Sequence, residues 1–225
     1  MAGILGGVLP VLRPPSERIT AVLQHLAAGV LLSIICFGLA VEIHEMGMPL
    51  FALAGIGAGA ALIVSMKLFL RRYETPGDDP TPIGFIVAAY LDTLVDGFLI
   101  GAAATIRPDL AAVLVVGLGI ELFVLTSSVS AELLKLDMKK VIAVAITAGI
   151  AATQLAGATI GTFVMLSQGD AVQAIALGVS LAVLLYLVAE ELLLRGNDLK
   201  NSTLTTSALF IGFIGLTAYN LIVQA

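Results

Sequence analysis

Residues 90–101 read Tyr-Leu-Asp-Thr-Leu-Val-Asp-Gly-Phe-Leu-Ile-Gly, which places two acids and a hydroxyl inside an apolar run from about Pro82 to Ile106. At 1.5 Å per residue, a helix of this length crosses a bilayer hydrocarbon core of about 30 Å. Asp92 and Asp96 are then expected near the membrane midplane. Their i, i+4 spacing puts both carboxylates on one helix face, with Thr93 beside them, so the three groups converge as they would in a binding site.

The rest of the chain has the composition of a helical membrane protein. Of its 225 residues, 59% are hydrophobic and 12% are charged, and the charged residues fall mostly between apolar runs of about 20 residues. We predict an all-α, polytopic membrane bundle that forms one domain, residues 1–225, because the connections are too short for a soluble domain. The single cysteine, Cys36, excludes an internal disulfide and is expected to be a small core residue.

The apolar runs predict seven full spans and one short N-terminal span. The short span, residues 1–12, reaches only about 18 Å as a helix, so either it inserts partway or the true start of the chain lies upstream. The flanking residues 13–18 read as a break, and nothing at the start looks like a signal peptide. The full spans are expected at about 21–43, 49–70, 82–106, 110–134, 141–166, 171–194 and 205–223.

The basic residues predict the orientation, because Lys and Arg in short loops are retained on the cytoplasmic side. Ten of the eleven occupy alternate connections, and only Arg107 lies on the opposite side. We therefore expect a multi-pass protein of the cell membrane whose N- and C-termini, and the turn at Arg107, are external. The ten are Arg13, Arg18, Lys67, Arg71, Arg72, Lys135, Lys139, Lys140, Arg195 and Lys200.

A weak internal repeat is also present. Gly29-Val30 is followed thirteen residues after the glycine by Glu42, and Gly178-Val179 is followed at the same interval by Glu191. The charge argument makes these two spans run in opposite directions. Inverted repeats of this kind are typical of transporters, with the binding site near the midplane between the halves.

The buried acids need compensation. Asp92, Asp96 and Glu121, which is also mid-span, would together cost on the order of 8–10 kcal/mol to insert uncompensated. Every Lys and Arg lies in a loop or at a span end, so protons or a bound cation are expected to offset this cost. Gln154 and Thr153, midway along the sixth span, could add neutral oxygens. In the simpler alternative, the acids only hydrogen-bond neighbouring helices.

The run Asp92-Thr93-x-x-Asp96-Gly97, followed by Ile100-Gly101-Ala102-Ala103, resembles the fourth-helix motif of ZIP (Zrt/Irt-like) metal transporters, His-Asn-x-x-Asp/Glu-Gly. Glu121 falls where that family has its fifth-helix pair of ligands. The resemblance implies eight helices and a divalent metal ion as transported substrate. It also implies that the first, fourth, fifth and sixth helices move as a bundle against the other four. Looser matches lie in the second and seventh helices, at residues 16–18, 27–32, 42 and 186–191.

The chain departs from the family motif in ways that bear on the metal. The expected histidine is Asp92, the expected asparagine is Thr93, and the downstream fifth-helix ligand falls on Val124 or Leu125. The proline expected in the fifth helix and the acid of the sixth are missing, with Gly157 near the place of the latter, and residues 71–81 contain no histidine. A site of carboxylates and hydroxyls favours Mn²⁺, Mg²⁺ or Ca²⁺ over Zn²⁺. Iron, Na⁺ and protons also stay open as occupants.

Secondary ligand candidates lie nearer the span ends or on neighbouring helices. They are Gln154, Ser128, Glu190, Glu191 and His25. The alternative for His25 and the glutamates, Glu42 and Glu45 included, is an ordinary interfacial residue. The alternative for Ser127, Ser128 and Ser130 is a hydrogen bond to their own helix. The glycines at 55, 57, 59, 157 and 161 are expected to allow close helix packing.

The sequence therefore predicts a transporter of divalent cations, working by alternating access, and not an enzyme. Two alternatives stay open. One is a ZIP-like scaffold or sensor without transport. The other is a membrane-embedded enzyme that uses the acids as an acid/base pair, although the Gly-x-Gly-Asp motif of intramembrane aspartyl proteases is absent. The expected partners are the cation and the lipid bilayer, with no nucleic acid, and a homodimer stays open.

Overall fold

The computed structural model describes residues 1–12, 16–70, 82–193 and 203–223, and these residues form eight helices without a strand. The predicted all-α class is confirmed for them, and the helix bounds agree with the predicted spans to within a few residues. The predicted loop 71–81 lies outside the described residues. The helices are α1 (Ala2–Leu12), α2 (17–45), α3 (Pro49–Leu70), α4 (Pro82–Ile106), α5 (Pro108–Lys135), α6 (Lys140–Met165), α7 (170–193) and α8 (Thr203–Val223).

Six of these helices, α2 to α7, are long and apolar enough to cross a membrane, which indicates a membrane-embedded protein. In α1 and α8 the apolar stretches are shorter, Ala2–Leu12 and Thr203–Tyr219. Proline begins α3, α4 and α5, where its fixed φ suits a helix start and its missing N–H costs nothing. The turn after α5 contains Asp137 at φ 57°, a left-handed conformation that Asp tolerates better than most residues.

Two helices contain a π-helical segment, Ile35–Leu39 in α2 and Leu187–Leu193 in α7. Such segments are rare and occur frequently at functional sites. Their positions correspond approximately in the predicted repeat.

The helices pack as two groups of four. The α4 group consists of α1, α4, α5 and α6, with α4 against α6 and α1 against α5 as its main contacts. The α2 group consists of α2, α3, α7 and α8, with α2 against α8 and α3 against α7. The groups meet along two seams, α2 against α5 and α4 against α7.

Glycines hold the main pairs together at close range. A Cβ at Gly97 or Gly101 of α4 would collide with the Gln154 or Ala158 carbonyl of α6. In return, Gly157 and Gly161 of α6 meet the backbone of Leu94 and Phe98. The expected packing role is confirmed for Gly55, Gly59, Gly157 and Gly161, whereas Gly57 faces open space and the expectation for it is wrong.

The same contact pattern occurs twice in the α2 group. Gly29 of α2 abuts the Leu209 carbonyl of α8, and Gly212 abuts the Leu26 carbonyl. Gly178 of α7 abuts the Ala52 carbonyl of α3, and Gly55 abuts the Ile175 carbonyl. Leu26 and Gly29 of α2 are each the same number of residues away from their counterparts in α7, Ile175 and Gly178. In the same way, one constant interval separates Ala52 and Gly55 of α3 from Leu209 and Gly212 of α8. The repeat predicted around Gly29 and Gly178 therefore corresponds to equivalent helix contacts.

The largest apolar core lies where the groups meet, with fully buried side chains from both sides such as Leu31, Leu114, Leu118 and Leu184. Cys36 is not part of it. The prediction of a core cysteine is wrong, because Cys36 is exposed on the outer face of the π-helical segment of α2. In a bilayer the lipid-facing residues are as apolar as the core, so an apolar run does not reveal which face a residue occupies.

Candidate functional site

The three acids expected at the midplane converge in the structure. Each of Asp92, Asp96 and Glu121 contributes a carboxylate oxygen, and these oxygens all lie within 4.8 Å of one another. Asp96 is fully buried and Glu121 is 4% exposed, while Asp92 is half-buried. No histidine or cysteine in the described part of the chain joins this group.

The convergence follows from the local fold. Asp92 and Asp96 are one turn apart on α4, so they share a face. A one-residue turn at Arg107 connects α4 to α5, which makes the two helices antiparallel neighbours. Asp96 and Glu121 lie at similar distances from that turn and are therefore level with each other.

Electrostatics limits what this cluster can contain. Two unit charges about 5 Å apart repel by about 3 kcal/mol at an effective dielectric constant of about 20. Three such pairs make a fully ionised, empty cluster unfavourable, because burial also penalises each charged form. Shared protons or a bound cation would relieve this repulsion, so the arrangement suits either proton exchange or cation binding.

Thr93 lies within the same turn and is almost fully buried. Its hydroxyl donates to the Ala89 carbonyl at 2.6 Å, a bond within α4. The oxygen keeps lone pairs that a cation could use.

Gln154 lies on the helix that packs behind the acids. Its carbonyl abuts Gly97, the residue after Asp96, and its side-chain Nε2 is buried without a hydrogen bond to any described residue. Ser128 is half-buried on the α5 face that carries Glu121. The buried hydroxyl without a hydrogen-bond partner in the described residues is instead that of Ser127.

The remaining secondary candidates do not belong to the cluster. His25 is buried on α2, and its Nδ1 lies 2.9 Å from the Ala21 carbonyl, to which it donates. Glu190 forms a half-exposed ion pair with Lys67 of α3 at 3.3 Å. The side chain of Glu191 lies outside the part of the chain that the structure describes.

A small cavity of about 20 Å³, room for one water molecule, touches Asp92. Its walls come from α3, α4 and α7 and include Val95, Val183 and Tyr186. The ammonium of Lys67 lies 4.6 Å from the centre of the Tyr186 ring. The cavity joins the half-buried acid to the seam between the groups.

Two contacts outside the acid cluster were not predicted from the sequence. Tyr186 was noted only for its loose resemblance, although it is four residues before Glu190 and therefore shares its helix face. Glu42 was interpreted as an interfacial charge, yet it pairs with Arg107 at 2.6 Å. The unusual placement of Arg107 opposite all other basic residues was the available signal for this pair.

Comparisons with known proteins do not identify a family for this chain. No protein-family model matches the chain. No curated protein matches it at a significant level either.

Proposed function

We propose that the protein is a membrane transporter, not an enzyme, and that it carries a divalent metal cation through the site of Asp92, Asp96 and Glu121. The observation that carries the proposal is the convergence of three carboxylates from two helices inside an apolar bundle. Oxygen ligands of this kind suit the hard cations Mn²⁺, Mg²⁺ and Ca²⁺ better than Zn²⁺. Iron is a further candidate substrate.

The division into two groups supports alternating access. All three acids belong to the α4 group, and the cavity beside Asp92 opens on the seam with α7 of the other group. Movement of one group against the other would expose the acids to one side and then to the other. The resemblance to ZIP transporters implies the same division of eight helices. We further propose seven full spans and a short first span, in a cell membrane, with both termini external.

The decisive experiment is uptake by purified protein in liposomes, measured for Mn²⁺, Mg²⁺, Ca²⁺, Zn²⁺ and Fe²⁺. Asp96→Asn removes one charge from a fully buried ligand, and uptake of the transported ion should fall at least about tenfold because such a site has little water to replace it. The thermal stabilisation of the parent by saturating cation, about 2–3 kcal/mol at a hundred times Kd, should be lost as well.

Asp137→Asn is the matched control. It makes the same chemical change at an exposed acid in a conformation that Asn also accepts, so uptake and stabilisation should persist. Cation binding without uptake in the parent would favour a sensor or scaffold. A parent that neither binds nor transports any divalent cation would contradict the proposal and leave protons as the occupants of the site.

A further inference from the structure

One ion pair bridges the two helix groups. The Nη1 atom of Arg107, in the turn between α4 and α5, donates to Oε2 of Glu42 on α2 at 2.6 Å. The side chains are only 28% and 15% exposed. Of the three ion pairs seen between described side chains, the other two lie within a single group, Lys67–Glu190 between α3 and α7 and Lys135–Glu132 within α5.

The seam beneath this pair is closed. Gly38 of α2 lies so near α5 that an added Cβ would collide with Leu110, and Gly117 of α5 faces Leu31 and Ile34. The next side chains along this seam, Leu114 and Leu118, are fully buried. A cavity of about 10 Å³ lies beside Arg107 at this end of the seam, between α2 and α5.

The repeat provides a comparison for this seam. It relates α2 to α7 and α3 to α8, so the seams α2–α5 and α4–α7 each contain one helix of the related pair α2 and α7. The α2–α5 seam is packed with buried leucines beneath an ion pair, whereas the α4–α7 seam contains the cavity beside Asp92.

We propose that the Arg107–Glu42 ion pair is a clasp that keeps the α2–α5 seam closed, and that it must break for the site to open toward the Arg107 end. This inference rests on the proposed transport function. The hydrogen bond to Glu42 raises the pKa of Arg107 above its ordinary value, which indicates that the pair stabilises the charged guanidinium. A charge-assisted hydrogen bond between partly buried groups stabilises the closed seam. Loss of this bond shifts the population toward a conformation in which the seam is open.

The clasp can be tested by cysteine labelling in lipid nanodiscs, where both membrane faces meet the reagent. Leu114→Cys in a Cys36→Ser background reports on the seam, and Leu110→Cys replaces it if the first variant does not fold. Adding Arg107→Gln should speed modification by a charged thiol reagent about fivefold, the shift expected for a partly buried ion pair of ordinary strength. Exchanging the charges, Glu42→Arg with Arg107→Glu, should restore slow labelling.

Lys135→Gln is the control, because it breaks an exposed pair inside one helix and should leave labelling unchanged. Equal labelling rates in the parent and Arg107→Gln would overturn the clasp.

Uptake gives a second readout: joining Glu42→Cys to Arg107→Cys with a bifunctional thiol reagent should stop transport while cation binding persists. Continued uptake after cross-linking would also overturn the clasp. If the parent shows no uptake but Arg107→Gln still speeds labelling, the transport proposal is overturned and the clasp stays supported.

Discussion

Asp92 and Asp96 have the same side chain one helical turn apart, yet their surroundings differ. Asp96 is fully buried between helices, whereas Asp92 is half-buried and lines the cavity on the α7 seam. Asp92 is therefore the first of the three acids that an ion arriving through this cavity would meet. On the proposed function, we expect Asp92 to exchange the ion with the cavity, and Asp96 with Glu121 to retain it.

Two buried serines on α5 give a prediction about stability. The hydroxyl of Ser130 donates to the Gly7 carbonyl of α1 at 2.8 Å, so Ser130→Ala should cost about 1 kcal/mol and lower Tm by about 2–4 °C. Ser127→Ala removes a buried hydroxyl that has no hydrogen bond among the described residues, and it should leave Tm unchanged or raise it. Thermal unfolding in detergent measures both. A larger fall in Tm for Ser127→Ala than for Ser130→Ala would contradict the view that only the Ser130 hydroxyl makes a stabilising hydrogen bond.

The acids could be predicted from sequence because charge in an apolar span is costly and the i, i+4 rule fixes the shared face. The interaction partners of the other polar side chains could not be predicted from the sequence. Ser130 was expected to bond to its own helix, but a remote helix comes close enough at Gly7 to accept its hydrogen bond. Glu42 and Arg107 are far apart in sequence, and only the meeting of α2 with the α4–α5 turn brings them together.

At the scale of the helices, length and apolar composition predicted most bounds, since prolines and charged residues mark the ends of α3, α4 and α5. Which helices pack against each other was harder to predict from the sequence. Glycine is frequent throughout this chain, and only the three-dimensional packing distinguishes Gly97, which abuts a backbone carbonyl, from Gly119, which faces open space.

That distinction yields a prediction for the α4–α6 pair. Gly97→Ala places a methyl group against the Gln154 carbonyl, which as backbone cannot rotate away, so the helices must separate. Stability should fall by about 1–3 kcal/mol, and uptake should fall too because Asp96 is the adjacent residue. Gly119→Ala, two residues from Glu121, has room and should be neutral or stabilising by up to about 1 kcal/mol. Equal behaviour of the two variants in thermal unfolding would contradict the packing argument.

For the whole molecule, the two groups of four agree with the division that the ZIP resemblance implies, and the repeated glycine contacts relate the two halves of the α2 group. The sequence could suggest the repeat but not the asymmetry between the two seams. The α2–α5 seam is lined by fully buried leucines, whereas a cavity lies at the α4–α7 seam, and this difference depends on the three-dimensional packing.

Orientation is the prediction that belongs to this scale. Ten of the eleven basic residues fall on one side of the proposed topology, so the turn at residues 135–140 should be cytoplasmic and the turn at 166–169 external. In a Cys36→Ser background on intact cells, an impermeant thiol reagent should modify Gln168→Cys and not Asp137→Cys. Modification of Asp137→Cys from outside would reverse the proposed topology.

The glycine contacts described above also determine how the molecule can deform. In lipid there is no hydrophobic force between helices, so these pairs are held largely by dispersion at short range. A gap of 0.5–1 Å already forfeits roughly a quarter to a half of such an attraction. Pairs such as α4–α6 and α3–α7 are therefore stiff, because they cannot loosen gradually without losing their contact energy. The seams are lined by leucines and other long side chains, whose rotamers can follow a sliding surface, so we expect the molecule to yield along the seams while each pair moves as one piece.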